Sequence, residues 1–265
     1  MKKILSLCMF GLLAIAACNN TSQPDQTASP SQDTLRYDSV KVYAKNPVSA
    51  DTNYTDTAKA VIVYPVFADK KINQLLEQHV ASTIGNDIKY SGYQDIAQQF
   101  IQQYENDRAA NKDRRFTWFM GMNMTVQLNK PELISILNTY FYYQGGAHPN
   151  TVFLSYNISP ASGQLLTLDS LLVPGKRQEL ESLAEQVFRK DEGLKPTETL
   201  AGRYFFIDDR FALTKTFTFN ESGIIFTYSP YEIKPYAAGK TDLHIPLKDL
   251  EGLIRPEYLS QLAAH

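Results

Sequence analysis

The fold is decided by residues 120–158, which read MGMNMTVQLNKPELISILNTYFYYQGGAHPNTVFLSYNI. From Met120 to Leu128, large apolar residues alternate with small or polar ones, which is the period of a strand with one buried face. Two runs rich in β-branched and aromatic residues, 133–143 and 151–158, predict strands that continue the same sheet. The methionines are interpreted as core side chains rather than soft-metal ligands, because their spacing is that of a strand face.

Helical and hairpin patterns flank this sheet on both sides. Apolar residues at helical spacing predict helices over 72–80, 93–104 and 180–188. The other predicted elements are a strand at 60–67, a hairpin at 217–228, a strand at 243–247 and short helices in 248–262. Helices and mostly antiparallel strands in separate runs predict an α+β fold with helices packed on one face of the sheets. We expect two packed subdomains, 35–138 and 139–265.

The composition is that of an ordinary globular protein. The chain has 265 residues, a formal net charge of −2 and 43% hydrophobic residues. A nucleic-acid-binding domain usually carries a basic patch and a high isoelectric point. The near-neutral balance therefore predicts no nucleic-acid partner.

The N-terminus has the pattern of an export signal. Two lysines precede residues 4–17, an uncharged apolar run that is too short to span a bilayer. Its length and its small residues near the end are typical of a signal-peptide core. The pattern predicts a signal peptide at residues 1–17.

Residues 15–18 read IAAC, which resembles the lipobox of bacterial lipoproteins. The resemblance implies cleavage before Cys18 and lipid attached to its thiol; the alternative is a plain secretory signal with a chance cysteine. Asn19 follows Cys18, so the aspartate that retains some Gram-negative lipoproteins in the inner membrane is missing. We expect a lipid anchor in the bacterial cell envelope, at the outer membrane.

Cleavage would leave Cys18 as the only cysteine, because Cys8 lies in the signal peptide. A disulfide, a thiol nucleophile and a cysteine metal site are then excluded from the mature chain. Residues 19–34 contain no large apolar side chain and are rich in Ser, Thr, Pro, Asn and Gln. Such a segment cannot bury enough surface to fold, so residues 18–34 are predicted to be the lipidated cysteine and a flexible tether.

The first candidate binding segment is residues 144–149, QGGAHP. Gly145 and Gly146 permit positive φ and close backbone approach, and Pro149 restrains His148 to an extended conformation. A histidine held in this way could act as a base, a ligand contact or a hydrogen-bonding post. The alternative is a tight connection between two strands in which His148 locks the turn.

The second candidate segment is residues 228–239, YSPYEIKPYAAG. Its prolines stiffen the loop, and tyrosines such as Tyr231 and Tyr236 bind partners and sugar faces at low entropic cost. The alternative is a structural crossover whose rings cover the edge of the core.

These segments carry a family resemblance. Residues 140–254 resemble the extracytoplasmic domain of the RsiV-type anti-sigma factors and a domain that precedes the catalytic part of PdaC-type peptidoglycan deacetylases. Residues 40–138 resemble the partner domain usually found upstream. The matching residues are Gly145, Gly146, Ala147, His148 and Pro149 in the first segment, and Pro230, Tyr231, Pro235, Tyr236, Ala237 and Gly239 in the second.

The resemblance implies a binding function, because the RsiV type binds lysozyme through this region. A lysozyme-like protein or a peptidoglycan glycan is the implied ligand, with Gly145, Gly146, His148, Tyr231 and Tyr236 as binding residues. The chain departs from both families: it is expected to have no transmembrane helix with a cytoplasmic anti-sigma segment, and no metal-dependent deacetylase domain.

We expect no enzymatic activity, cofactor or metal. His79, His148 and His244 have no helical pair spacing between them, and HExxH and nucleophile-elbow patterns are absent. Adjacent Asp208 and Asp209 are interpreted as a solvated turn rather than a catalytic carboxylate pair. Two alternatives stay open, which are a cryptic hydrolase built on His148 with Asp169 or Glu232, and a purely structural envelope protein.

Overall fold

In a computed structural model that describes residues 35–45, 57–84, 89–111 and 116–263, the chain forms nine strands and five α-helices. No helix in these ranges is both long and apolar enough to cross a lipid bilayer. The predicted signal peptide, the lipidated Cys18 and the tether lie outside the described residues.

The first sheet has six strands in the order β1-β2-β3-β4-β5-β6. These are β1 (Tyr37–Lys45), β2 (Lys59–Phe67), β3 (Phe119–Asn129), β4 (Ile134–Tyr143), β5 (Asn150–Ser159) and β6 (Gln164–Leu165). Neighbouring strands are antiparallel except β2 and β3, which are parallel. A parallel pair needs a long crossover, and α1 (Lys70–Ile84) and α2 (Tyr93–Ala110) supply it.

The second sheet has three antiparallel strands, β7 (Phe217–Asn220), β8 (Gly223–Tyr228) and β9 (Thr241–Pro246). The remaining helices are α3 (Leu168–Leu171), α4 (Arg177–Asp191) and α5 (Pro256–Ala263). The helices predicted over 72–80, 93–104 and 180–188 fall inside α1, α2 and α4. The mostly antiparallel α+β fold is confirmed.

The buried apolar side chains form two clusters. One lies on the six-stranded sheet under α1 and α2 and includes Met120, Met122 and Met124, which are at most 5% exposed. The methionines are therefore core residues, as their spacing predicts. The other cluster surrounds the three-stranded sheet and α4. The division into subdomains at residues 138 and 139 stays a prediction, and both residues lie in β4.

The outer edge of β7 is satisfied by side chains of the six-stranded sheet. Phe217 N donates to Ser155 Oγ at 2.9 Å, and Phe219 N donates to Ser135 Oγ at 2.8 Å. Asn157 Nδ2 donates to Phe217 O at 2.9 Å. Buried backbone groups are costly when unpaired, so these contacts replace the strand neighbour that β7 lacks on this side.

Backbone groups at the outer edge of β5 are also paired with side chains, which here come from residues next to the strands of the three-stranded sheet. Phe153 N donates to Ser229 Oγ, and Thr216 Oγ1 donates to Phe153 O, both at 3.0 Å. We call these two contacts and the three at β7 the inter-sheet hydrogen bonds. Ser229 lies in the second candidate segment, and Phe153 follows His148 of the first segment by a few residues, so both segments are brought to one end of the fold.

We predict that Ser135→Ala destabilises the protein strongly. The Ser135 hydroxyl is fully buried, donates to Asn157 Oδ1 at 2.6 Å and accepts from Phe219 N. Its removal leaves two buried polar groups without this partner, so the free energy of unfolding should fall by about 2–4 kcal/mol in denaturant titrations.

The control for this prediction is Ser182→Ala on α4. The Ser182 hydroxyl is exposed and donates to Gln178 O within the helix. Its removal should change the free energy of unfolding by less than about 0.5 kcal/mol. Similar losses in the two variants would contradict the structural role of the inter-sheet hydrogen bonds.

Candidate functional site

His148, Tyr231 and Tyr236 form one cluster of rings, which we call the aromatic cluster. The His148 and Tyr236 rings are stacked, with centroids 3.9 Å apart and planes 14° from parallel. The Tyr231 ring centroid lies 5.7 Å from that of His148 and 5.6 Å from that of Tyr236. The structure thus brings together two segments of the sequence whose proximity the sequence alone left undecided.

The hydrogen bonds of His148 assign its tautomer. Nδ1 lies 2.9 Å from Pro149 O, and Nε2 lies 3.3 Å from the Tyr231 hydroxyl. A carbonyl oxygen can only accept, so Nδ1 carries the proton in the neutral ring and Nε2 accepts from Tyr231. Both ring nitrogens are therefore occupied by contacts within the protein.

Gly145 and Gly146 shape the turn that precedes His148. Their φ angles are 105° and 107°, a region that residues with a side chain rarely adopt. A Cβ on Gly145 would lie 2.2 Å from Cε2 of Phe116, whereas a Cβ on Gly146 would meet nothing within 4 Å. The Tyr143 hydroxyl donates to Gly146 O at 2.9 Å and closes the turn. These glycines allow the backbone conformation of the turn, and their contact with a ligand stays a prediction.

Tyr231 has a left-handed backbone, with φ of 69°, although it is not a glycine. Its side chain is 53% exposed. The turn around it is held by Glu232, whose carboxylate accepts from Ser229 N at 2.8 Å and whose N–H donates to Ser229 O at 3.0 Å. Such a conformation costs roughly 1–2 kcal/mol and persists where the surrounding structure enforces it.

Glu192 ties the second candidate segment to a neighbouring loop. Its carboxylate accepts from Lys234 Nζ at 2.8 Å and from the Tyr204 hydroxyl at 2.9 Å. Burial would raise the pKa of Glu192, but the hydrogen bonds from Lys234 and Tyr204 outweigh it and hold this pKa below its usual value. The role of Glu192 is not predictable from the sequence, because no local pattern connects this residue with its distant partners Lys234 and Tyr204.

The neighbouring loop presents apolar side chains to solvent. Phe205 and Ile207 are 52% and 85% exposed, on either side of the buried Phe206. Phe205 N donates to Ile233 O at 3.0 Å, which fixes this loop beside the segment of Tyr231. This loop comprises residues 205–209 and is called the 205–209 loop below.

Asp208 and Asp209 complete the 205–209 loop. Both are exposed, and both have a left-handed backbone with φ of 54° and 55°. Neither makes an ion pair within the part of the chain that the structure describes. They occupy a solvated turn, as their adjacent positions in the sequence predict, and the turn is strained.

The two carboxylates considered for a hydrolase contact other groups. Asp169 Oδ1 accepts from Arg177 Nη1 at 2.9 Å, and Glu232 is engaged by Ser229 N. Within the described ranges, no group of three or more His, Cys, Asp or Glu side chains is arranged to hold a metal ion.

Two families match separate segments of the chain. Residues 48–151 match the family described as deacetylase PdaC, and residues 169–248 match DUF3298, described as a protein of unknown function. His148 lies in the first match, and Tyr231 and Tyr236 lie in the second. The aromatic cluster is therefore assembled from both matched segments. No curated protein matches the chain.

Two crystal structures of DUF3298 family proteins have a similar fold. The one from Bacteroides fragilis has a TM-score of 0.69 and 21% identity, over 88% of this chain and 99% of the other. The one from Pseudomonas aeruginosa has a TM-score of 0.68 and 18% identity, over 87% of this chain and 97% of the other. At these identities the similarities show the fold alone. The predicted resemblance to the PdaC type agrees with the family match over residues 48–151, and the resemblance to the RsiV-type anti-sigma factors stays a prediction.

We predict that glycine is more stable than alanine at position 231. The left-handed backbone is strained for alanine and unstrained for glycine, so Tyr231→Gly should exceed Tyr231→Ala in free energy of unfolding by about 1 kcal/mol. At Tyr236, whose φ is not positive, alanine should be the more stable by about 0.5–1 kcal/mol. Denaturant titration of the four variants measures both differences, and alanine being the more stable at both positions would refute the strain at Tyr231.

Proposed function

We propose that this chain, which joins a PdaC match to a DUF3298 match, is a lipid-anchored binding protein of the bacterial cell envelope. The proposed ligand is a lysozyme-like protein, held by the aromatic cluster and the 205–209 loop. The anchor would be Cys18, on the strength of the signal-peptide and lipobox pattern. The observation that carries the binding function is the exposed and strained Tyr231, fixed against His148.

The geometry of the aromatic cluster suits binding. Its rings come from two loops and are locked by stacking and by the His148–Tyr231 hydrogen bond, so little side-chain entropy remains to be lost on association. Tyrosine combines a large apolar face with a polar tip, which favours it at interfaces. Backbone strain of the kind seen at Tyr231 concentrates at ligand-contacting positions.

The 205–209 loop favours a protein as the ligand. Ile207 and Phe205 expose apolar side chains to solvent. Such side chains pack better against an apolar pocket on a protein than against the hydroxyl groups of a sugar. The carboxylates of Asp208 and Asp209 complement a basic partner surface. A peptidoglycan glycan is the second candidate, because the exposed Tyr231 ring could stack on a sugar face.

The contacts of His148 favour binding over hydrolysis. A general base needs an unoccupied lone pair within reach of the substrate proton. In His148 the lone pair of Nε2 accepts a hydrogen bond from the Tyr231 hydroxyl, so it is not available for this role. Asp169 and Glu232 are engaged elsewhere and do not orient the ring. We therefore propose a binding function for this protein and not a hydrolytic one.

The test is capture of a lysozyme by the immobilised full chain. Tyr231→Ala combined with Tyr236→Ala should abolish capture, and His148→Ala should weaken it, because these rings are the proposed contact surface. Thermal melting should show that the variants remain folded. The matched control is Tyr43→Ala, since Tyr43 is 46% exposed and lies on β1 outside the aromatic cluster.

The outcomes separate the candidate functions. Capture that survives in the double variant, or that is lost equally in Tyr43→Ala, would contradict the proposed site. Retention on insoluble peptidoglycan without lysozyme capture would favour the glycan. Cleavage of peptidoglycan that depends on His148 would favour a hydrolase, and the absence of all three activities would favour a structural protein.

A further inference from the structure

Strand β1 forms one edge of the six-stranded sheet. Within the described ranges no strand pairs with β1 on the side away from β2, and β1 pairs with β2 over all nine of its residues without a bulge. Natural proteins protect sheet edges with very short strands, prolines, bulges or charged side chains. β1 is long, contains no proline and has lysines only at Lys41 and Lys45. Its edge is therefore able to accept another strand.

The other sheet edges in the described part of the chain are protected. β6, at the far edge of the same sheet, has two residues, and outward groups of β5 and β7 take part in the inter-sheet hydrogen bonds. β9 ends at Pro246 and contacts α4. Because an unprotected edge invites pairing between chains, the open edge of β1 indicates an interaction surface.

The hydrogen bonds to β2 show which backbone groups of β1 face outward. Ala68 N donates to Arg36 O at 3.0 Å, so Arg36 faces β2, and every second residue after it does the same. Ser39 lies opposite Pro65, which has no N–H to donate to it. The outward N–H and C=O groups are therefore those of Tyr37, Ser39, Lys41, Tyr43 and Lys45.

Space for a further strand is present beside β1. A groove of about 430 Å³ lies between residues 43–45 at the end of β1 and the helix α2. Its α2 side is lined by exposed glutamines such as Gln98 and by Glu105. Helix α2 also contacts β1 directly. An added strand would therefore lie beside α2 as well as beside β1.

We propose that β1 pairs antiparallel with β1 of a second copy of this chain, with the twofold axis at Val40. The two six-stranded sheets then form one continuous sheet. Tyr37 of each copy lies opposite Tyr43 of the other, and Ser39 lies opposite Lys41. All four residues have outward backbone groups, so each facing pair can exchange two hydrogen bonds. Val40 faces its own copy at a position without hydrogen bonds.

The side chains of β1 complement a second copy in this register. Tyr37 and Tyr43 are 43% and 46% exposed, and they meet in two cross-strand aromatic pairs. Such pairs stabilise a sheet, whereas like charges directly opposite each other destabilise it. An axis at Lys41 would place two lysines opposite each other. The axis at Val40 instead places each lysine opposite a serine.

Charge at the ends of the paired strands favours the same arrangement. Arg36 is exposed, and the register places it opposite Ala44 of the second copy, which lines the groove beside α2. Glu105 and Lys45 line the same groove. Arg36 of each copy can therefore pair with Glu105 of the other, and this contact occurs twice in the dimer. A strand of unrelated sequence would not supply this match, so a second copy is the favoured partner.

The dimer surface is separate from the proposed binding site, because no residue of β1 belongs to the aromatic cluster or to the 205–209 loop. A single pair of strands buries less surface than a standard interface of about 1,600 Å². We therefore expect a dissociation constant in the micromolar range.

Disulfide cross-linking tests the register in the full chain with Cys8 and Cys18 replaced by serine. Val40→Cys should form a covalent dimer under mild oxidation, because facing residues without hydrogen bonds have Cα atoms about 4.5 Å apart, which a disulfide can span. The matched control is Val42→Cys, whose two copies are displaced by roughly 13 Å along the strands. It should not link to itself, but it should link to Asp38→Cys when the two variants are mixed.

Sedimentation velocity over a range of protein concentrations tests the backbone pairing. Lys41→Pro removes an outward N–H and leaves the hydrogen bonds to β2 in place, so it should weaken the dimer about tenfold or more. Lys41→Ala loses the same side chain but keeps the N–H, so its dimer should persist. Thermal melting should show that both variants are folded, and the cross-linking result stands even if the proline variant is not.

Amide hydrogen exchange distinguishes a second copy from another segment of the same chain. The Lys41 amide should exchange rapidly in the dilute monomer and more slowly as the protein concentration rises. Protection that does not depend on concentration would overturn the proposal in favour of a covering segment. A chain that stays monomeric, equal self-linking of Val40→Cys and Val42→Cys, or equal dimers in the proline and alanine variants would also overturn it. Lysozyme capture should persist in Lys41→Pro, so failure of capture by the wild type bears on the aromatic cluster alone.

Discussion

The architecture depends on hydrogen bonds that join the two sheets through side chains. Strand β7 ends its sheet, and β5 has a neighbour on one side only over most of its length. The outward backbone groups of Phe217 and Phe219 are paired with Ser135, Ser155 and Asn157. Buried amide and carbonyl groups must be paired, and these side chains meet that requirement where no further strand can. The two sheets therefore have a specific register against each other.

That register positions the aromatic cluster. The hydrogen bond between Phe153 and Ser229 joins the chain just after His148 to the chain just before Tyr231. With both loops fixed in this way, His148 stacks on Tyr236, and Tyr231 is held in a left-handed conformation that a free loop would relax. The preorganised rings are thus a consequence of backbone pairing at the sheet edges. The strain at Tyr231 is balanced by contacts elsewhere in the fold.

Local patterns in the sequence were sufficient for most of the elements and for part of the site. Helices α1, α2 and α4 each bury one face, so the spacing of their apolar residues predicts them. The two adjacent glycines likewise indicate the positive φ angles at residues 145 and 146. The parallel pairing of β2 with β3 and the contacts of Glu192 join residues far apart in the chain, and no local pattern records them. The left-handed conformation of Tyr231 was equally unpredictable, because it is imposed by the surrounding loops and not by the residue itself.

Native-state amide hydrogen exchange at Phe217 and Phe219 tests the central claim most directly. If the inter-sheet hydrogen bonds hold the fold together, both amides should be protected as strongly as that of Phe226 in the central strand β8. Exchange of Phe217 and Phe219 as fast as the outward amides of the exposed edge strand β1 would contradict the claim. In that case the two sheets would not be held in a specific register, and the structural basis of the aromatic cluster would be lost.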